Sequence, residues 1–523
     1  MNEALTDNID GVQRVGSFIE TTMGPYGKDK LIMRKDGNFD GYYNVTNQAG
    51  FLLRRSSFQS FAGELVTDLA TAQENQYGDG TAMVVLVASR ILSEVEPLLE
   101  QGLHQTRVIE GIQDAIQFVQ ASVREQSIEV GTEDTRVLEG VVGTSLNGTV
   151  SETLFEDLDR ILVEHVRSVS QSDALDVVED SLHTECLKSE SVSASEAFRG
   201  ALLKKSLAGH YTPSRIDSAT VATVTQGFAR QRTLEEPLEV EGPSSGKRTV
   251  QYRTDPAGAE SLHEQELDLV TDRIEPLRRA GVDIVFVEDR VEEEVVAAFN
   301  AHDIAVVRNV QIDLIERVSA ATGSTIHTHV GDFAEGDVGS ADQIEFRDVN
   351  GQDLISVRDR DADTLAVEIQ GSSRKIGWEI QRNVRSALRT LQATLRCGSV
   401  VPGGGAIEAA IACDLRENRH DSALGEALVA TAVSEALESV PVALAKNGGV
   451  NGPDARIRVR NRHASGRNTV GFCGGSRRIG DVTDERVFEP TEAKLNCLAM
   501  VAEVCSMILR IDEIVPQESA ESD

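Results

Sequence analysis

Cysteine and aromatic residues are scarce in this 523-residue chain. The six cysteines form no CxxC pair, so the sequence carries no sign of a disulfide framework or a cysteine-rich zinc site; they are Cys186, Cys397, Cys413, Cys473, Cys497 and Cys505. We expect them to be ordinary buried thiols. The N-terminal segment also lacks the basic start and the apolar stretch of a secretory signal. These absences predict a cytoplasmic protein.

Basic residues are also in short supply. The chain has 51 Lys and Arg against 85 Asp and Glu, which gives a formal net charge of −34. A nucleic-acid partner is therefore not expected, because such proteins need basic surfaces that replace phosphate counterions. The acidic residues are spread along the whole chain, and lysine is much rarer than arginine. This even acidity favours a halophilic protein that works in molar salt, where the Debye length falls to about 3 Å. An acidic protein from ordinary salt is the open alternative.

Long hydrophobic runs are missing as well. No stretch of about 18 consecutive apolar residues occurs, so we expect no segment that spans a bilayer and no membrane partner. Hydrophobic residues make up 40% of the chain and charged residues 26%, as in globular proteins. At 523 residues the chain is too long for one core and predicts two to four domains.

Hydrophobic periodicity divides the chain into three regions. The first third predicts helices separated by glycine-rich turns, with a strongly apolar helix over about Thr81–Glu100 and a hairpin over Lys30–Leu53. In the middle, short apolar strands alternate with helices over Asp283–His329, which indicates a mostly parallel α/β domain. From about Gly403 long helices return. Helical ends around an α/β middle predict an inserted domain, with the two ends packed together.

Three glycine-rich turns are the candidate ligand-binding elements: Gly24–Gly27, Gly78–Thr81 and Gly403–Gly405. The latter two each open an apolar helix, whose N-terminal N–H groups and positive dipole end favour a phosphate. Asp79 stands where a carboxylate could hold Mg²⁺ against that phosphate. Each turn taken alone has a simpler interpretation as a helix cap, since neither a Walker A sequence nor a dinucleotide-binding fingerprint accompanies it.

The order of several motifs resembles that of the group II chaperonins, the double-ring folding cages of archaea and the eukaryotic cytosol. Residues 21–30 (TTMGPYGKDK) are similar to the family's TTxGPxGxDK loop, residues 78–82 (GDGTA) to its GDGTT, and residues 400–408 (VVPGGGAIE) to its VxPGGGAxE. Nearer the C-terminus, residues 488–490 (FEP) and 507–512 (MILRID) match the family's closing pattern. The similarity covers nearly the whole chain.

The resemblance implies a multidomain chaperonin fold built from five chain segments. The implied domains are a mainly α-helical equatorial domain (1–132 and 398–523), an α+β intermediate or hinge domain (133–199 and 356–397) and an α/β apical domain (200–355). A helical protrusion of the apical domain, with its base around residues 254–267, would close the cage as a built-in lid.

The resemblance also implies that the three turns surround one ATP and its Mg²⁺. The positions that would bind them are Gly24, Pro25, Gly27, Asp79, Gly80, Thr81, Ala82, Gly404, Glu489 and Lys494. Asp79 would be the metal ligand, whereas Glu489 and Lys494 would lie on the adenosine side. The implied partners are unfolded or partly folded proteins and other chaperonin subunits, identical or different, in a double ring.

Two catalytic positions of the resembled family are altered in this chain. The family's TNDGA motif reads TNQAG at residues 46–50, which puts Gln48 in place of an aspartate. In the hinge helix, Ser386 stands where a second aspartate belongs. Because an amide and a hydroxyl are far weaker bases than a carboxylate, we expect ATP to be bound but hydrolysed slowly.

Three hypotheses about function stay open. The first is an ATP-driven folding subunit that tolerates these substitutions, and the second is a non-hydrolysing structural or regulatory subunit of a mixed ring. The third is an unrelated metabolic enzyme, but the α/β region shows no catalytic constellation that supports it.

Overall fold

The computed structural model describes most of the chain and divides it into two compact units. The described residues are 3–33, 43–56, 58, 60–146, 152–170, 181–188, 195–226, 274–328, 333–334, 336–371, 374–418 and 424–513. The first unit joins Met1–Glu179 to Ser373–Asp523, and the second is Asp180–Ser372. The second unit is thus inserted between the two halves of the first. The finer division into five domain segments stays a prediction.

The N-terminal half of the first unit is mainly helical, as the periodicity predicts. Its elements are α1 (Glu3–Glu20), β1 (Lys30–Met33), β2 (Tyr43–Thr46), α2 (Ala49–Arg55), α3 (Phe61–Tyr77), α4 (Thr81–Glu100), α5 (Gln105–Glu125), β3 (Ile128–Glu129), α6 (Thr135–Leu146) and α7 (Glu152–Ser170). The predicted apolar helix is confirmed as α4. The hairpin predicted over Lys30–Leu53 is confirmed in part, as the antiparallel pair β1–β2 in which Lys30 lies opposite Thr46. Its predicted end is wrong, because α2 begins at Ala49. Residues 34–42 between the strands lie outside the described residues.

The second unit is built on one mixed sheet. Its elements are β4 (Leu182–Lys188), β5 (Glu196–Leu203), β6 (Arg215–Val224), β7 (Ile284–Val287), α8 (Glu293–Ala301), β8 (Ala305–Val307), α9 (Ile312–Thr322), β9 (Ile326–His327), β10 (Gly339–Val349), β11 (Gln352–Arg358) and β12 (Leu365–Gly371). The strand order is β4-β12-β5-β11-β10-β6-β7-β8, with β9 paired to β6. Strands β6, β7 and β8 are parallel, with α8 as the crossover between β7 and β8.

The prediction of a mostly parallel domain is wrong for β5, β10 and β11 of this sheet, although β4 and β12 pair in parallel at its edge. Strand β10 pairs antiparallel with both β6 and β11, and β5 pairs antiparallel with both β11 and β12. The cause is a tight turn at Asn350-Gly351, where both residues have positive φ and Val349 lies opposite Gln352. An Asn-Gly pair between two strands is a strong hairpin signal that the strand–helix alternation obscured. The predicted helical protrusion at 254–267 lies outside the described residues.

The C-terminal half of the first unit returns to helices and completes the core of the N-terminal half. Its elements are α10 (Arg374–Cys397), β13 (Ser399–Pro402), α11 (Ala406–Glu417), α12 (Leu424–Asn447), α13 (Gly452–His463), β14 (Val470–Cys473), β15 (Arg478–Asp481), β16 (Phe488–Pro490) and α14 (Thr491–Leu509). One hydrophobic core contains Ile9 and Val84 from the first half and Leu437 and Val501 from the second. The two halves also share a three-stranded sheet in the order β16-β13-β3.

Helix α12 corrects the expectation that no segment is apolar enough to span a bilayer. Within the described residues it is the one helix that meets that standard by length and composition, with a mean hydropathy of 1.5 over its most apolar window. However, 61% of that window is buried inside the protein, and Val433, Leu437 and Val440 belong to the core of the first unit. A buried core helix meets the same standard.

Candidate nucleotide site

A cavity of about 880 Å³ within the first unit gathers the residues singled out from the sequence. Eleven of those twelve positions line it, namely Gly24, Pro25, Gln48, Asp79, Gly80, Thr81, Ala82, Ser386, Gly404, Glu489 and Lys494. The twelfth, Gly27, is not part of the lining. Its N–H donates to the carbonyl oxygen of Gly24 at 2.9 Å, so it closes the first glycine-rich turn. Residues from both ends of the chain therefore meet at one site.

Two helices begin at this cavity. Helix α4 starts after Gly80 (φ +93°) and α11 starts after Gly405 (φ +78°), both in the left-handed conformation that favours glycine. A Cβ at Gly80 would lie 2.4 Å from Cys497 Sγ, and one at Gly405 would lie 2.7 Å from Pro441. Neither helix has a side-chain cap. The N–H of Ala406 donates to the carbonyl oxygen of Gly403 at 3.0 Å, so it is the other amide groups of these first turns that are left for a ligand. This is the arrangement that binds phosphate at helix N-termini.

Asp79 carries an exposed carboxylate at the edge of the cavity. Its Oδ1 accepts a hydrogen bond from the N–H of Gly80 at 2.6 Å, which fixes the side chain next to the start of α4. No cluster of three His, Cys, Asp or Glu that could hold a metal occurs among the described residues. A single carboxylate nevertheless suits Mg²⁺, which usually keeps one or two protein ligands and completes its shell with phosphate oxygens and water.

Glu489 and Lys494 lie in a buried cluster of charges. Strand pairing places Glu489 opposite Val401, just before the Gly403–Gly405 turn. The Nζ of Lys494 contacts Glu408 Oε1 at 2.5 Å and Glu489 Oε2 at 2.6 Å. Burial raises the pKa of Glu489, and the charge of Lys494 acts against this shift. Burial alone would lower the pKa of Lys494, but the two carboxylates override it and raise this pKa, so the lysine stays charged.

Ser386 lines the cavity from helix α10, close to the second glycine-rich turn. Its hydroxyl donates a hydrogen bond to the carbonyl oxygen of Gly78. The backbone is equally close, because a Cβ at Gly78 would lie 2.3 Å from the carbonyl oxygen of Ser386. The hydroxyl proton of Ser386 is thus already used in a hydrogen bond to the Gly78–Thr81 turn. Ser386 adds neither charge nor a base to the cavity.

Gln48 lines the cavity from the N-cap position of α2 and is tied to two charged residues. Its Nε2 donates to Oε1 of Glu74 at 3.0 Å. Its Oε1 accepts from Nε of Arg382 at 3.1 Å. Glu74 also accepts from Arg54 at 2.8 Å, and the guanidinium of Arg382 lies 4.4 Å from the ring centre of Phe51.

Comparison with known proteins places the whole chain in one family. Residues 15–519 match the model of the TCP-1/cpn60 chaperonin family. The chain belongs to this family. It is 28% identical to the thermosome subunit alpha of Halobacterium salinarum over 98% of this chain and 88% of that protein. It is 29% identical to a thermosome subunit of Methanothermococcus thermolithotrophicus over 98% and 91%, and 26% identical to the thermosome subunit alpha of Archaeoglobus fulgidus over 99% and 92%. These identities mark it as a divergent group II chaperonin subunit.

Several residues of this chaperonin's cavity were missed by the sequence reasoning. Glu74 lines it beside Gln48, and Asn383 lines it beside Ser386. Arg382 is bonded to Gln48 from outside the lining. Another wall is formed by Gly474–Ser476 and Asp484–Val487, next to the β14–β15 hairpin. The signal for Glu74 was present but weak: it lies in the last turn of the helix that leads into the Gly78–Thr81 turn, and so had to lie near the site.

The chaperonin cavity is strongly acidic. Its lining contains seven carboxylic acids and two cationic side chains; the acids are Glu74, Asp79, Glu139, Asp159, Asp484, Glu485 and Glu489, and the cations are Arg486 and Lys494. Burial raises the pKa of both Asp159 and Glu489, which favours the neutral forms of these two acids relative to exposed carboxyl groups. A polyphosphate would still need bound cations or a high salt concentration to enter this cavity.

Proposed function

We propose that this chaperonin subunit binds ATP with Mg²⁺ and encloses unfolded or partly folded proteins in a double-ring cage with a built-in lid. The observation that carries the proposal is that two uncapped helix N-termini and the Asp79 carboxylate line one cavity. Backbone amides at helix N-termini bind phosphate, and a neighbouring carboxylate suits the Mg²⁺ that accompanies a nucleotide. The names of the relatives, which are subunits of a thermosome, support assembly into rings of identical or mixed subunits.

We assign the roles of the lining residues accordingly. The turns at Gly24–Pro25, Gly80–Ala82 and Gly404 would bind the phosphates through the backbone, with Gly27 shaping the first of them. Asp79 would hold Mg²⁺, which supplies positive charge against the phosphate oxygens. Glu489 and Lys494 would lie on the adenosine side. The five-segment division into equatorial, hinge and apical domains, and the cytoplasmic location, belong to the same proposal.

We further propose that bound ATP is hydrolysed slowly. In hydrolysis a water oxygen bonds to the terminal phosphorus, the bond from that phosphorus to the bridging oxygen breaks, and ADP leaves with the electron pair while the water's protons pass to the products. A carboxylate that aligns and deprotonates this water contributes about 10²–10⁴-fold to the rate. Gln48 and Ser386 stand at both positions where the family has such carboxylates. A non-hydrolysing structural or regulatory ring subunit is the alternative, favoured if turnover is absent.

The experiment that tests nucleotide binding compares two matched variants. Asp79→Ala removes the proposed Mg²⁺ ligand, whereas Asp114→Ala removes an exposed carboxylate on α5 that does not line the cavity. Binding of a fluorescent ATP analogue is measured with MgCl₂ in about 2–3 M KCl, where surface charge is screened. We expect weaker binding in Asp79→Ala alone. Wild-type protein that binds no nucleotide under these conditions would refute the proposal.

A further inference from the structure

Four side chains beside the cavity form a continuous hydrogen-bonded series, in which a carboxylate and a neutral amide lie between two guanidinium groups. Arg54 donates to Glu74 Oε2 at 2.8 Å, Glu74 Oε1 accepts from Gln48 at 3.0 Å, and Gln48 accepts from Arg382 at 3.1 Å. Glu74 is only 8% exposed, so its contacts lie in a medium of low dielectric and are strong. These hydrogen bonds link three separate elements, because Glu74 lies on α3, Gln48 stands at the N-cap position of α2 and Arg382 lies on α10.

The charges on either side of Gln48 fix the orientation of its amide. The amide nitrogen, a donor, contacts the carboxylate of Glu74, and the amide oxygen, an acceptor, contacts the guanidinium of Arg382. Exchanging the two ends would set a donor against a cation and an acceptor against an anion. One N–H and one oxygen lone pair of the amide remain for a ligand in the cavity that Gln48 lines.

The position of the Glu74 carboxylate depends on a glycine in α2. A Cβ at Gly50 would lie 1.6 Å from Glu74 Oε2, so no other residue at position 50 leaves the carboxylate where it is. Gly50 and Gln48 belong to the same altered TNQAG segment. The amide at position 48, the glycine at position 50 and the carboxylate at position 74 therefore act as one geometric unit.

We propose that Glu74 is a positioning residue for hydrolysis: together with Arg382 it holds the Gln48 amide in the one orientation that can align a water against the terminal phosphate. This inference rests on the proposed binding of ATP. Glutamine aligns the attacking water in some nucleotide hydrolases, so an oriented amide is a workable replacement for a carboxylate. Glu74 acts through Gln48 and need not touch the nucleotide.

An acid introduced at position 48 would interact with the carboxylate of Glu74. A carboxylate there would face Glu74 at the distance of the present hydrogen bond, with Arg382 and Arg54 on the outer sides and Glu379 acting on Arg382. Repulsion between two carboxylates so close raises the pKa of one of them, and the two arginines oppose this shift. Gln48→Glu alone should therefore give an enzyme whose turnover depends more steeply on pH than that of the exchanged pair. The exchanged pair Gln48→Glu with Glu74→Gln again places one carboxylate and one amide between the two arginines, with the carboxylate at 48 facing Arg382 and the amide at 74 facing Arg54.

The test is a double-mutant cycle on the full-length protein. Glu74→Gln, Gln48→Glu and the exchanged pair are compared for ATP affinity, turnover under saturating ATP, and the dependence of turnover on pH. Glu110→Gln serves as the control, since it removes a carboxylate that pairs with Arg107 on the exposed surface of α5. We expect Glu74→Gln to lower turnover about tenfold with little change in ATP affinity, and the exchanged pair to recover at least the wild-type rate with a flatter pH profile than Gln48→Glu.

A second variant perturbs the same unit without touching a charge. Gly50→Ala displaces the Glu74 carboxylate, whereas Gly425→Ala, in the first turn of α12, meets only the end of the Leu103 side chain at 3.2 Å. We expect lower turnover in Gly50→Ala alone, which keeps the proposal testable if a charge variant fails to fold. Three results would overturn the proposed role of Glu74. The first is unchanged turnover in both Glu74→Gln and Gly50→Ala, and the second is an exchanged pair that is no faster than either single variant. The third is wild-type protein that binds ATP without any turnover. Wild-type protein that binds no ATP would instead refute the proposed function.

Discussion

Two walls of the same cavity differ in how far they follow the chaperonin pattern. The phosphate wall, formed by Gly24, Asp79, Gly80 and Gly404, has the residue of the resembled motifs at each of these four positions. The hydrolytic wall is formed by Gln48, Glu74 and Ser386, with Arg382 bonded to Gln48; it has a hydrogen-bonded amide and a hydroxyl where the resembled motifs have aspartates. Binding needs backbone amides and one metal ligand, whereas hydrolysis needs an aligned water. One of these requirements can therefore weaken while the other is kept.

The largest expected effect comes from giving the hydrolytic wall the two acids that the resembled chaperonin motifs have there. Gln48→Asp and Ser386→Asp restore the two acids, and Glu74→Gln removes the carboxylate that would repel the first of them. We expect turnover to rise at least about tenfold, since a positioned base contributes about 10²–10⁴-fold. Turnover is measured as phosphate release under saturating MgATP. A triple variant no faster than wild type would show that the missing acids are not the cause of slow hydrolysis.

The second-largest effect is expected on nucleotide affinity, when the proposed metal ligand of the phosphate wall is removed. Asp79→Ala should weaken MgATP binding by about tenfold or more, because it removes the one carboxylate assigned to the metal. The difference from wild type should shrink when EDTA removes Mg²⁺, which separates loss of the metal ligand from misfolding. Equal affinity of the variant and wild type for MgATP would contradict the assignment.

A smaller effect concerns salt and assembly rather than either wall. With a net charge of −34 per subunit, rings should dissociate as KCl falls from molar concentrations to about 0.1 M, where the Debye length grows from about 3 to 10 Å. Light scattering across this range gives the particle mass. A stable monomer even in molar salt would contradict the proposed ring.

The smallest effect is a change in how stability depends on pH. Burial raises the pKa of Glu489, so this group contributes stability at low pH that is lost as pH rises through its folded-state value. Glu489→Gln lacks this titration, so its melting temperature should fall by a few degrees less than that of wild type between about pH 5 and pH 9. Nucleotide-free protein is used, with Glu110→Gln as control. Parallel melting curves for Glu489→Gln and wild type would show that this titration does not affect stability.

The sequence predicted which residues of the phosphate wall meet at one cavity, but it missed Glu74 and Arg382 beside Gln48, for a physical reason. The phosphate wall consists of short motifs in which glycine spacing and the start of an apolar helix specify the local backbone, as at Gly80 and α4. The hydrolytic wall depends on contacts between distant segments: Gln48 and Arg382 are 334 positions apart in the chain. The sequence identified Gln48 as a substitution, but only the fold brings Glu74 to its amide.

The same distinction explains the fold. Long apolar helices such as α4 and the strand–helix alternation of β7, α8 and β8 follow local periodicity and were predicted. The antiparallel part of the second unit's sheet depends on the Asn350-Gly351 turn and on pairings between distant strands, such as β5 with β11. Periodicity carries no information on which strands pair.

The most direct test of the central claim measures binding and hydrolysis of ATP on the same wild-type sample. Binding of MgATP is titrated in about 2–3 M KCl, and a single turnover of the bound nucleotide is then followed beside the thermosome subunit alpha of Halobacterium salinarum. The account predicts clear binding with turnover about 10²-fold slower than that of the relative. Equal turnover in the two proteins, or no binding by this chain, would contradict it.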